Sequence, residues 1–164
     1  MASTQKNLNT YSEKSIGNLN LKKFGLVVSE WNSEVTELLF EGAYLTLTKY
    51  GVSKTNIVRA EVPGSFELSL GSQLMALKDE IDAVICLGCV IQGETRHFDF
   101  ICQAVAQGIT NVGLKYNKPV ILGVLTTDNQ KQALERAGGC YGNKGEEAAI
   151  TAIKMLGFNA LVLD

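Results

Sequence analysis

The sequence predicts a single-domain α/β protein in three layers, α/β/α, around a four-stranded parallel sheet. Three observations carry this. Runs of strand length alternate with stretches of helical periodicity along the chain. The third strand-like run, AVICLGCVI, is apolar throughout, as a strand covered on both faces must be. At 164 residues the chain has the length of one domain, able to bury roughly two thirds of its unfolded surface without disulfides or metal.

The elements follow in order. FGLVVSEW (24–31) is rich in β-formers and reads as the first strand. Behind it, SEVTELLFEGAYLTLTKYG places Val35, Leu38, Leu39, Ala43 and Leu45 to Leu47 near one helical stripe, which Gly51 ends. NIVRAEVP (56–63) is a second strand, and GSFELSLGSQLMALK (64–78) its helix. AVICLGCVIQG is the third strand; HFDFICQAVAQGITNVGL then sets Phe98, Ile101, Cys102, Val105, Ile109 and Val112 at helical spacing. PVILGVLTT (119–127) makes the fourth strand. Two helical stretches close the chain, NQKQALERAG and NKGEEAAITAIKMLG, with a glycine-rich joint at 138–142 between them. Right-handed crossovers bury such a sheet between helices. Residues 23–164 form this domain. Residues 1–22 fall outside the pattern and are expected to be disordered or lent to a neighbouring subunit. No internal repeat is visible.

Composition narrows the function. Fifteen basic and seventeen acidic residues leave a net charge of −2 with no basic stripe, which argues against nucleic acid and anionic membrane as partners. The first twenty residues are polar, and no apolar run reaches membrane-spanning length, so a cytoplasmic protein is expected. Cys86 and Cys89 form a C-x-x-C inside the third strand, where side chains three apart point to opposite faces and cannot share a metal or a disulfide. Cys102 on an apolar helical face and Cys140 in a loop complete no second pair, so reduced thiols and no metal are expected.

In a parallel sheet the ligand gathers at the carboxyl ends of the strands. There GETRHFDF (93–100) carries the only histidine, His97, at the start of a helix. Glu94, Thr95 and Arg96 make the turn before it, whose free N–H groups, helix dipole and threonine hydroxyl suit a phosphate. The bland alternatives are that Thr95 only caps the helix and that His97 is a first-turn histidine satisfied by its neighbours. Trp31, the only tryptophan, closes the first strand and either stacks a heterocycle or forms a lid over the core. After the second strand, PGSFE puts Ser65, Phe66 and Glu67 in the first turn of a helix. Glu67 there either complements the dipole or accepts hydrogen bonds from a polyol.

VPGSFE, LGCVIQGETRHFDF, GVLTTDN, ERAG and GNKG, in this order and at these separations, resemble the 6,7-dimethyl-8-ribityllumazine synthase family of riboflavin biosynthesis over residues 24–157. The resemblance implies a flavodoxin-like fold. It also implies condensation of 5-amino-6-(D-ribitylamino)uracil with 3,4-dihydroxy-2-butanone 4-phosphate, giving the lumazine, phosphate and water without metal or organic cofactor. By the same resemblance His97 transfers protons, and Glu94 and Thr95 bind the phosphate. Arg136 clamps that phosphate from the adjacent subunit, and Lys144 lies close by. Trp31 is the stacking aromatic; Ser65, Phe66, Glu67, Cys89, Val90 and Ile91 hold the ribityl chain and pyrimidine edge. Leu122 stands where many relatives carry an aromatic from the neighbouring subunit, Gln92 where they often carry arginine, and Cys89 where a hydroxyl residue is frequent.

Assembly follows from the resemblance as well. Homopentamers are implied, and the short joint GGCYGNKG is similar to that of members whose pentamers close into sixty-subunit shells, with riboflavin synthase as a further partner. Two alternatives belong to other classes: a relative that binds riboflavin or a lumazine without turnover, and a shell protein whose assembly is its function. His97, Thr95 and Arg136 together argue against both.

Overall fold

The computed structural model describes residues 18–163; the expectation for residues 1–17 lies outside the described residues. The four principal strands are β1 (Phe24–Ser29), β2 (Ile57–Val62), β3 (Ala83–Ile91) and β4 (Val120–Thr127). They form one parallel sheet in the order β2-β1-β3-β4. Helices α1 (Ser33–Lys49), α2 (Leu68–Ala76) and α3 (His97–Tyr116) make the crossovers between successive strands. After β4 come the short helix α4 (Gln130–Glu135), the small strands β5 (Ala137–Gly139) and β6 (Gly142–Asn143), and α5 (Lys144–Leu163). The single domain and its flavodoxin-like three layers are as expected.

Alternation along the strands divides the core in two. Phe24, Leu26, Val28, Ile85 and Leu87 face α1 and α5, meeting Leu39, Ala149 and Ile153. Val27, Val84 and Cys86 face α2 and α3, meeting Leu68, Met75, Val105 and Ile109. Cys86 and Cys89 accordingly lie in different layers. Burial pushes the Cys86 thiol up to about 12 and the Cys89 thiol up to about 11, so both remain protonated apolar groups at neutral pH.

Several sequence expectations need correction. In α1 the buried face uses Thr36, Gly42 and Thr46, whereas Leu38 and Leu45 are exposed. Small and hydroxyl residues serve there because α5 packs closely: a Cβ on Gly145 would overlap the Leu39 carbonyl oxygen. Thr36 satisfies its own hydroxyl by donating to the Ser29 carbonyl at 2.8 Å. In α3 only Val105, Ile109 and Val112 are buried; Phe98, Ile101 and Cys102, in its amino-terminal half, are partly open where the helix starts beside the groove that Ile101 lines. The glycine-rich joint is an antiparallel hairpin, β5–β6, made possible by positive φ at Gly138 and Gly142. Buried Asn143 fixes that hairpin, donating to the carbonyls of Leu38 (2.9 Å) and Ala137 (3.3 Å) and accepting from the Gly145 N–H (2.8 Å).

At the amino-terminal side, Lys22 pairs with Asp82 at 2.9 Å and Asn56 donates to the Asn20 carbonyl at 2.8 Å, so residues 20–22 are tied to their own chain. Among the described residues no helix is long and apolar enough to cross a membrane.

Candidate active site

The carboxyl ends of β1, β2 and β3 open into one groove of about 650 Å³. It sits where the chain order reverses between β1 and β3, the switch point at which such sheets bind ligands. Each strand contributes through the turn that follows it.

β1 ends at Ser29, two residues short of the expected strand end. Glu30 and Trp31 still donate their N–H groups to the carbonyls of Val62 (2.8 Å) and Pro63 (3.1 Å), which keeps the turn beside the tail of β2. Asn32, at φ 62 and ψ 42, then reverses the chain into α1. Trp31 therefore stands beyond the sheet instead of closing it. The residue is 73% exposed and lines the groove.

After β2 two successive tight turns form, with Glu67 N–H donating to the Gly64 carbonyl and Leu68 N–H to that of Ser65, both at 3.2 Å. Helix α2 consequently starts at Leu68, and Ser65, Phe66 and Glu67 precede it instead of forming its first turn. Ser65 is buried; Phe66 and Glu67 stand open on the groove.

The third wall is the end of β3. β1 pairs with β3 only as far as Val28 opposite Leu87, while β3 continues against β4 to Ile91 opposite Thr127. Its last residues thus have no strand on the β1 side. The Cys89 carbonyl points there and accepts from Asn32 Nδ2 at 2.9 Å and from Ser65 Oγ at 3.4 Å. Strand alternation directs the N–H and C=O of Ile91 to the same side, along the groove. His97 opens α3, its own N–H donating to Thr95 Oγ1 at 3.4 Å and its exposed ring facing the groove one turn from Ile101.

Eight of the residues expected from the sequence are thereby brought together: Trp31, Ser65, Phe66, Glu67, Cys89, Val90, Ile91 and His97. Glu94 and Thr95 lie in the exposed turn immediately before His97 and are not part of the groove wall. Three others are elsewhere in the chain. Leu122 is half exposed on the edge strand β4. Arg136 ends α4, its Nη1 donating to the Gln132 carbonyl at 2.9 Å and its guanidinium resting 4.7 Å from the Tyr141 ring centroid. Lys144 pairs with Glu147 at 2.6 Å.

The groove also contains Asn32, Gly64 and Ile101, which sequence reading did not assign to it. Asparagine between a strand end and an apolar-periodic run is a helix-start signal that points to Asn32. Ile101 reads as core because its spacing fits the buried stripe.

Chemically, the groove offers a flat apolar face at Trp31, one carboxylate at Glu67, a hydroxyl at Ser65, an open peptide edge at Ile91 and an imidazole at His97. Such a site can stack a planar heterocycle, fix its polar edge and side chain by hydrogen bonds, and exchange protons beside it.

Comparison with known proteins identifies the family. A profile of the 6,7-dimethyl-8-ribityllumazine synthase family matches residues 21–160. A protein of Cytophaga hutchinsonii named 6,7-dimethyl-8-ribityllumazine synthase is 66% identical over 156 residues, covering 95% of this chain and 98% of its own. One of the same name from Parabacteroides distasonis is 52% identical over 160 residues, covering 98% of this chain and 100% of its own. With matches of this extent, the chain belongs to the 6,7-dimethyl-8-ribityllumazine synthase family.

Proposed function

We propose that this chain condenses 5-amino-6-(D-ribitylamino)uracil with 3,4-dihydroxy-2-butanone 4-phosphate to 6,7-dimethyl-8-ribityllumazine, phosphate and water. Family membership supports the reaction. The observation that carries it in the structure is the gathering of Trp31, Glu67, the open edge of β3 and His97 around one groove. The pyrimidine stacks on Trp31 with its edge along Ile91, and the ribityl hydroxyls reach Glu67 and Ser65. The 5-amino group attacks the ketone; the carbinolamine loses water, then phosphate, and ring closure expels a second water. Each step moves a proton, and imidazole can both accept and release one, a contribution of about 10²- to 10⁴-fold. Holding the two reactants together supplies an entropic advantage that needs no particular acid or base.

On this reading the phosphate lies at the turn of Glu94 and Thr95, where the first N–H groups of α3 face outward. Arg136 reaches it from an adjacent subunit, with Lys144 close by and Leu122 of that neighbour walling the heterocycle. Two features support a shared site. None of these three lines the groove of its own chain, and Trp31 and Phe66 are 73% and 54% exposed within one subunit. Leu70 and Leu74 on α2 and Leu77 at its C-cap, at helical spacing and all more than half exposed, give the apolar surface an assembly requires. We place the assembly as a pentamer, and as a sixty-subunit shell on the strength of the short β5–β6 hairpin, in the cytoplasm and with riboflavin synthase as a candidate partner. Incubating purified protein with both substrates and following lumazine absorbance and fluorescence tests the reaction; no lumazine, with both substrates intact, removes it.

A further inference from the structure

We infer that Asn32 is a positioning residue, holding the Trp31 ring and the open edge of β3 at the separation a stacked heterocycle needs. This rests on the reading of the groove proposed above. Asn32 is one of two non-glycine residues with positive φ among the described residues. Asparagine tolerates that conformation better than other side chains because its short amide can hydrogen-bond nearby groups. Here the amide instead reaches across the sheet's end, Nδ2 donating to the Cys89 carbonyl at 2.9 Å, 57 positions along the chain. The Asn32 carbonyl meanwhile accepts from the N–H groups of Val35 (2.9 Å) and Thr36 (3.1 Å), starting α1. One residue reverses the chain, opens a helix and braces two strands.

The brace matters because the two walls of the groove belong to different strands. The Trp31 N–H bonds toward β2, to the Pro63 carbonyl. Pairing of β1 with β3 has already stopped at Val28 and Leu87. Past that point the Asn32 side chain takes the place of the missing ladder between the indole's turn and β3. With Ser65 it also occupies the Cys89 carbonyl from both sides, which leaves Ile91 as the peptide group presented to a ligand. A ring lying on Trp31 meets that edge only if the spacing is held. Asn32 therefore acts through Trp31 and β3 and not by chemistry of its own.

Two variants test this. Asn32→Gly keeps a positive φ without steric cost and removes the amide; Asn32→Asp keeps the shape but turns a charged acceptor toward the Cys89 carbonyl. Trp31 is the only tryptophan, so its fluorescence anisotropy and acrylamide quenching in the substrate-free protein report the turn directly. Asn32→Gly should lower anisotropy and increase quenching. It should also raise KM for the ribitylaminouracil roughly tenfold, the loss of about one hydrogen bond's worth of order, with kcat and KM for the butanone phosphate changed less than about threefold. Asn32→Asp should shift each in the same direction and further. Unchanged Trp31 emission in both variants, or a fall in kcat with KM untouched, would overturn the inference. So would failure of both to fold, since Asn32 would then be needed for the fold and not for the site. If the wild-type protein makes no lumazine the functional reading fails, and the substrate-free fluorescence still decides whether Asn32 holds Trp31.

Discussion

At the scale of single residues, the groove holds its two most distinctive side chains in different ways. His97 stands at an open helix end, its side chain exposed and its N–H donating to Thr95 Oγ1 at a long 3.4 Å. If it carries protons as proposed, a group so placed contributes to rate more than to binding. His97→Ala should lower kcat by about one to three orders of magnitude and leave KM for both substrates near wild type, because proximity still acts without it. Wild-type turnover in that variant would make His97 a packing residue. Trp31 is the reverse case, a large ring left in water with one face on the groove. Trp31→Ala should weaken the ribitylaminouracil by about 1–3 kcal/mol, and wild-type tryptophan emission should quench when a non-reactive substrate analogue binds. Titrations that leave both affinity and emission unmoved would assign the indole no part in binding.

Among the elements, the contact of α1 with α5 decides where the GNKG segment sits. Gly145 lets the start of α5 rest against the Leu39 carbonyl, and Asn143 ties the hairpin to α1 and to α5 from within the core. Gly145→Ala forces these apart and should destabilise the fold by roughly 1–3 kcal/mol in urea unfolding, with disturbance centred on Arg136 and Lys144 and not on Trp31. A variant as stable as wild type would show that the two helices can separate freely at this point. Legibility at this scale was uneven. The long apolar runs and α3 stood out because their periodicity is sustained over many residues. The hairpin at 137–143 leaves no trace in the sequence, since three glycines and no apolar alternation give a two-strand ribbon no pattern to show. Leu38 and Leu45 share the apolar stripe yet stand exposed, because hydropathy cannot distinguish a face turned to α5 from one turned outward.

For the whole molecule the question is whether one chain holds a complete site. If Arg136 serves the groove of a neighbour, His97→Ala and Arg136→Ala subunits are each defective, yet together complementary. Unfolded together and refolded in equal amounts, they should regenerate an intact site at roughly a quarter of interfaces, since every contact in a ring is heterologous. Activity should rise well above the mean of the two parents toward that fraction. Mixed rings verified by mass without any gain would place both residues in one subunit's site or make Arg136 structural. Sedimentation of the wild type as a monomer would remove the shared site altogether.

The sequence alone determined the layer architecture, the parallel sheet and the family, because apolar periodicity and short ordered motifs are local properties of a chain. It also pointed to the end of the sheet at which the groove opens, since the ends of strands can be counted without knowing how they pack. Only the tertiary structure decided which of the named residues share a groove. Trp31, Glu67 and His97 follow different strands and meet because β1, β2 and β3 are neighbours in the sheet, whereas Arg136 follows the edge strand β4 and does not meet them. It alone revealed what the Asn32 side chain reaches as well. A left-handed turn and a hydrogen bond to a carbonyl 57 residues away arise from two distant segments lying side by side, and no local pattern records that distance.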